Sequence, residues 1–123
     1  FFNCRQASAG EILWREGEGC DSLAIIIDGR VDIKKATEFE GKEVIVGVYG
    51  RGSVVGELCF LDQAPREVTV VALEDTNLLL LTRDNFDRLL EEQPAAAIRL
   101  LQGMLLAVSS RLRSCFDRLA SIF

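Results

Sequence analysis

The 123-residue chain contains no histidine. That absence removes the side chain that most often works as a general base near neutral pH, and the commonest ligand of transition metals. Cysteine is sparse: Cys4, Cys20, Cys59 and Cys115 stand far apart, with no Cys-x-x-Cys pair. Such spacing offers neither a zinc site nor a disulfide framework, so no metal and four reduced thiols are expected. No uninterrupted apolar run approaches the ~20 residues of a membrane helix. Leu78 to Leu81 falls far short, and the first residues lack the charged start and apolar stretch of a secretory leader. Cations are also few, at 14 Lys and Arg against 19 Asp and Glu, for a net charge of −5. A nucleic-acid surface needs clustered Lys and Arg, so none is expected on this segment. These exclusions leave a cytoplasmic domain that touches neither nucleic acid nor membrane, and no catalytic constellation is visible in it.

What remains is ordinary for a globular domain, with 49% hydrophobic and 27% charged residues. The length suits a single core, divided here into residues 1–93 and a terminal segment, 94–123. Phe1 in place of an initiator methionine is what a segment of a longer protein would show, with an output domain before Phe1 or after Phe123.

Glycine breaks the first two-thirds into short strands. Ser22 to Asp28 is an apolar run that turns at Asp28-Gly29, and Val31 and Ile33 then share one face of an alternating strand. Further strands are predicted over Glu43 to Tyr49, Val68 to Leu73 and Leu78 to Thr82, the last two joined by a turn over Glu74 to Asn77. Many short strands with glycine turns and no long helix between them suggest a closed or double-sheet β architecture. After Thr82 the period changes. Thr82 or Asp84 can cap a short helix that carries Phe86, Leu89 and Leu90 inward and ends near Gln93. Pro94, one of only two prolines, suits the first turn of a second helix running to the end. On it Ile98, Leu101, Leu105, Val108, Leu112, Cys115, Leu119 and Ile122 are spaced 3, 4, 3, 4, 3, 4 and 3 residues apart. That is the heptad seam of a two-stranded coiled coil. Ile98 is expected to pack on the barrel, while the later positions need a second copy.

The other proline lies in Gly56-Glu57-Leu58-Cys59-Phe60-Leu61-Asp62-Gln63-Ala64-Pro65-Arg66, where a carboxylate and a guanidinium stand nine residues apart. Glu57 can accept hydrogen bonds from a ribose hydroxyl, and Arg66 can make a two-pronged contact with a phosphate. Gly56 has no side chain to hold a ligand off, and free N–H groups would face the same anion if the next residues turned helical.

The ordered set resembles the cyclic nucleotide-binding domain of catabolite-activator-type regulators, cAMP-dependent kinase regulatory subunits and nucleotide-gated channels. The phosphate cassette of that family reads roughly Gly-Glu-Leu … Pro-Arg, and here it stands as Gly56-Glu57-Leu58 … Pro65-Arg66-Glu67-Val68-Thr69. Gly10-Glu11-Ile12 with Glu16-Gly17, Leu23 to Val31, and Gly50 to Val55 match in order, so the likeness covers nearly the whole chain. It implies a mainly β fold with flanking helices: a jelly-roll-like β-roll followed by a short helix and a long C-terminal helix. It implies that Arg66 binds the cyclic phosphate with Gly56, Leu58 and Glu67 around it, and that Glu57 takes the ribose 2′-hydroxyl. Val46, Ile33 and Val68 would wall the base, although a core role is as natural for them. Arg111, with Ser109 and Ser110 beside it, would reach the base from the long helix.

One residue departs from the pattern. Glu67 stands where the family has a small residue, and a second anion ~5 Å from a phosphate costs ~3 kcal/mol at an effective dielectric of 20. Pointing outward, pairing with a cation, or accepting from a guanine amino group would each relieve that cost. The implied function is a non-enzymatic sensor that binds cAMP in preference to cGMP, needs no cofactor, and signals as a homodimer through its C-terminal helix. The rivals are an interaction module that binds no nucleotide, and a gating domain of a channel or transporter.

Overall fold

The structure, a computed structural model, describes residues 1–122; the last position of the 94–123 segment, Phe123, lies outside the described residues. The strands are β1 (Asn3–Ala7), β2 (Ile12–Trp14), β3 (Ser22–Asp28), β4 (Val31–Ala36), β5 (Glu43–Tyr49), β6 (Val54–Val55), β7 (Thr69–Ala72) and β8 (Thr76–Thr82). The helices are α1 (Glu57–Asp62), inserted between β6 and β7, then α2 (Arg83–Glu92) and α3 (Pro94–Ile122). Two four-stranded sheets, ordered β1-β8-β3-β6 and β2-β7-β4-β5, face each other with antiparallel neighbours throughout. This is the expected β-roll.

Period-2 alternation sorts the apolar residues into two cores. From β3, Ala24 and Ile26 enter the space between the sheets, where Val31, Ile33, Val55, Val70, Ala72, Leu78 and Trp14 meet them. Leu23 and Ile25 point the other way, into a second cluster with Val54, Phe60, Leu81, Phe86 and Met104. The Phe60 and Phe86 rings meet edge to face, with centroids 5.6 Å apart. This second core seats the helices on the roll. The β3–β4 turn needs Gly29, whose φ is +93°, because a Cβ there would meet the Thr76 Oγ1 at 2.4 Å.

Several expectations are corrected. β1 and β2 were not separable in the sequence, and β8 begins at Thr76, inside the expected turn, because its first residues pair with Gln6 and Ala7 of β1. Thr82 caps α2, its Oγ1 accepting from the Asn85 N–H at 3.1 Å. Phe86 and Leu89 are buried, but Leu90 is exposed. Ile98 does not pack on the barrel; it is 53% exposed, and Ala97 and Met104 dock the helix instead. The reason is angular: on a straight helix the residues facing the roll recur at the 3.6-residue period, and Ile98 falls off that line.

Three further points concern α3 and the cysteines. Leu105, Leu112, Leu119 and Ile122 of the heptad seam lie open, joined by Leu106 and Phe116. By length and composition alone α3 could cross a membrane, although Arg99, Arg111 and Arg113 interrupt its apolar residues. The cysteines are not four separate thiols either: Cys20 and Cys59 form a disulfide across 39 residues of sequence, leaving Cys4 and Cys115 free.

Candidate functional site

A cavity of about 350 Å³ opens between α1, the β4–β5 face and the middle of α3. Most of the residues singled out in the sequence line it: Ile33, Val46, Gly56, Glu57, Leu58, Arg66, Glu67, Val68, Val108, Arg111, Leu112 and Cys115. Ser110 does not; it is exposed and outside the lining, one helical step away from Arg111. Leu101, half-buried, packs on the second core instead. Three seam positions, Val108, Leu112 and Cys115, therefore wall the cavity.

Arg66 is the chemical centre. It is 3% exposed, and its guanidinium lies on the Trp14 ring at 3.8 Å from the centroid. Nη2 donates to the Ser22 carbonyl at 2.6 Å and Nη1 to the Gly56 carbonyl at 3.3 Å, while the buried Nε has no partner. Among the described residues no carboxylate comes within 4.0 Å of it. Burial therefore pulls the guanidinium below its ordinary pKa, and the more distant Asp21 and Glu18 act against that pull. A buried cation whose partners are all neutral is expensive until an anion reaches it.

Gly56 makes this packing possible. Its φ is +82°, and a Cβ there would sit 2.6 Å from Arg66 Nη1 and 3.1 Å from the Trp14 ring. The glycine thus admits a guanidinium of the protein itself, where the sequence suggested close approach of a ligand. The turn also starts α1 directly, so Glu57 leads the helix and its side chain enters the cavity at 5% exposed.

Glu57 is already engaged. Arg111, reaching in from α3, donates from Nη1 to Glu57 Oε1 and from Nη2 to the Val54 carbonyl, with its guanidinium 4.1 Å from the centre of the Tyr49 ring. The helix arginine expected at the base therefore contacts the expected ribose acceptor. Glu67 lines the cavity and has no ion-pair partner among the described residues; only its backbone carbonyl is bonded, by Lys35 Nζ at 2.9 Å. Cation pairing, one of the three ways of relieving its charge, is therefore not seen among the described residues.

Sequence reasoning missed Trp14 and Tyr49, the aromatic partners of the two arginines. Their signal was available, since they are the chain's single tryptophan and single tyrosine, but nothing local ties either to an arginine.

A two-sheet roll whose cavity holds one buried arginine, one acidic helix start and a wall from a long terminal helix defines a regulatory ligand-binding module. The family model described as "Cyclic nucleotide-binding domain" matches residues 4–93, and the chain belongs to that family. Its fold is similar to a cyclic nucleotide-binding domain from Methylobacillus flagellatus, with a TM-score of 0.92 and 27% identity, covering 100% of this chain and 68% of that one. The cAMP-bound PfPKA-R structure is similar at a TM-score of 0.68 and 29% identity, over 77% of this chain and 33% of that one. Among curated proteins, the lysophospholipase NTE1 of Phaeosphaeria nodorum is 32% identical over 112 residues, which are 91% of this chain and only 7% of that protein.

Proposed function

We propose that this domain is a non-catalytic cytoplasmic sensor that binds cAMP, in preference to cGMP, and reports occupancy through α3. The observation that carries the reading is Arg66: buried, facing the cavity, and without a carboxylate partner among the described residues. A cyclic phosphate supplies the missing negative charge, and the ribose 2′-hydroxyl can share Glu57 with Arg111 because a carboxylate has room for several donors. The cAMP carried by the similar PfPKA-R chain supports the choice of base. A ligand-driven shift requires different affinities for two helix positions, and the residues of α3 that line the cavity are where that difference would arise. The open leucines of α3 support pairing of two copies along that helix. The domain would act as one regulatory segment of a longer signalling protein.

Calorimetric titration with cAMP and cGMP tests this directly. Wild type should bind both, cAMP more tightly, and Arg66→Lys should weaken binding by about tenfold or more, since a lysine gives up the forked geometry. No heat with either nucleotide up to millimolar levels would leave the interaction module as the better reading.

A further inference from the structure

The cassette is clamped by a covalent bond that the nucleotide-sensing role does not require. Cys59, 2% exposed, is the third residue of α1, and Cys20 lies half-buried in the loop between β2 and β3. Their disulfide joins these two segments at a Cα separation of 6.0 Å. The same loop is held by Arg66 from both sides. The Arg66 N–H donates to the Glu18 carbonyl at 2.8 Å, the Gly17 N–H donates to the Arg66 carbonyl at 2.8 Å, and Arg66 Nη2 takes the Ser22 carbonyl. Arg66 Nη1 also lies 3.2 Å from Cys59 Sγ. One sulfur of the bond is therefore in contact with the cation on which an anion would land.

We infer that the Cys20–Cys59 pair is a redox modification site that sets the affinity of the cassette for its anion. The inference rests on the cyclic-nucleotide reading above. In the oxidised form the Cys59 sulfur is neutral, and α1 is fixed to the loop that carries the Arg66 partners. Both conditions favour binding, because the ordering of α1 has already occurred and Nη1 faces no competing charge. Reduction frees α1 from the loop, so the ordering of the cassette around Arg66 has to be completed when the anion binds.

The chemistry balances with a small-molecule disulfide as oxidant. The thiolate of one cysteine attacks the oxidant's S–S bond and expels one thiol. The thiolate of the other then attacks the mixed disulfide, closes Cys20–Cys59 and expels the second thiol. The two cysteines lose two electrons and two protons, and the oxidant gains them. A dithiol runs the sequence backwards. Cys20, the less buried partner, is the entry point for exchange. Cytosolic disulfides of this kind are characteristically transient and sensing.

The test uses the whole chain, equilibrated with either glutathione disulfide or dithiothreitol. Peptide mapping assigns the cross-link and calorimetry reads the cAMP affinity. The oxidised protein should carry the Cys20–Cys59 cross-link and bind cAMP about tenfold more tightly than the reduced protein, a difference of ~1.4 kcal/mol. Cys20→Ser should show the weaker affinity in both buffers; if that variant fails to fold, the reduced wild type carries the comparison. Equal affinity in the two buffers, or failure of the cross-link to form, overturns this inference alone. Absence of cAMP binding in both forms overturns the sensing function and this inference with it.

Discussion

Glu67 puts an acidic residue beside Arg66 on the lining of the cavity. Arg111 neutralises Glu57, so the remaining full charges on the lining are Arg66 and Glu67, and they oppose each other at a phosphate. The free carboxylate leaves the site weaker toward anions than the arginine alone would make it. Glu67→Ala should therefore tighten cAMP binding by roughly 10- to 100-fold, up to the ~3 kcal/mol that a charge ~5 Å away can contribute. The gain should shrink with added salt, because the cavity is open to water on one side. Measured with cGMP in parallel, a smaller gain than for cAMP would mean that the carboxylate accepts from the guanine amino group, and an equal gain would mean that it acts through charge alone.

At the scale of elements, the loop between β2 and β3 is held to the second sheet by Glu16. Its carboxylate accepts from the Ala36 N–H at 3.0 Å and from Lys35 Nζ at 3.1 Å, and these bonds hold its pKa below the ordinary value of 4.5. A depressed carboxylate pKa contributes stability that is fully present above the unfolded value and is lost as pH falls through the folded one. The melting temperature of wild type should therefore drop below about pH 4.5 more steeply than that of Glu16→Gln, with the two curves running parallel at neutral pH. Because the Gly17 N–H, in the same loop, bonds the Arg66 carbonyl, this acid-sensitive staple also underlies the cassette.

The elements also show what local pattern could and could not reveal. β3, β4, β5 and α2 were legible because alternation, turn glycines and a capping threonine act within a few residues of each other. β1 and β2 were not: β2 is three residues long and its pairing with β7 is irregular between Ile12 and Trp14, so no run of alternation forms. The cassette was legible as an ordered motif, and the fold does bring Glu57 and Arg66 to one cavity. The engagement of Glu57 by Arg111, 54 residues away, has no counterpart in any local window.

At the scale of the whole molecule, α3 outruns the roll. Its first half docks through Ala97 and Met104, its middle walls the cavity, and its far end presents Leu119 and Ile122, 55% and 74% exposed. These exposed apolar residues at heptad spacing are what the proposed pairing of two copies would bury. Leu105→Asp with Leu119→Asp should convert a dimer into a monomer in sedimentation equilibrium and leave the melting of the roll nearly unchanged, since neither residue touches the core. A monomeric wild type would overturn pairing. The same helix meets the length and composition of a membrane span, and a lipid-flotation control separates that behaviour from pairing.

Composition, glycine punctuation and the ordered cassette were enough to specify the roll, the family and the two charged residues that meet in the cavity. Each depends on local rules or on a motif read in order. Only the tertiary structure decided which partners those residues have: Trp14 under Arg66, Arg111 on Glu57, Cys20 bonded to Cys59, and Glu67 left without a counter-ion among the described residues. Such pairings join distant segments, and their energies depend on burial and approach distance. Neither quantity exists until the two sheets and α3 have closed around the cavity.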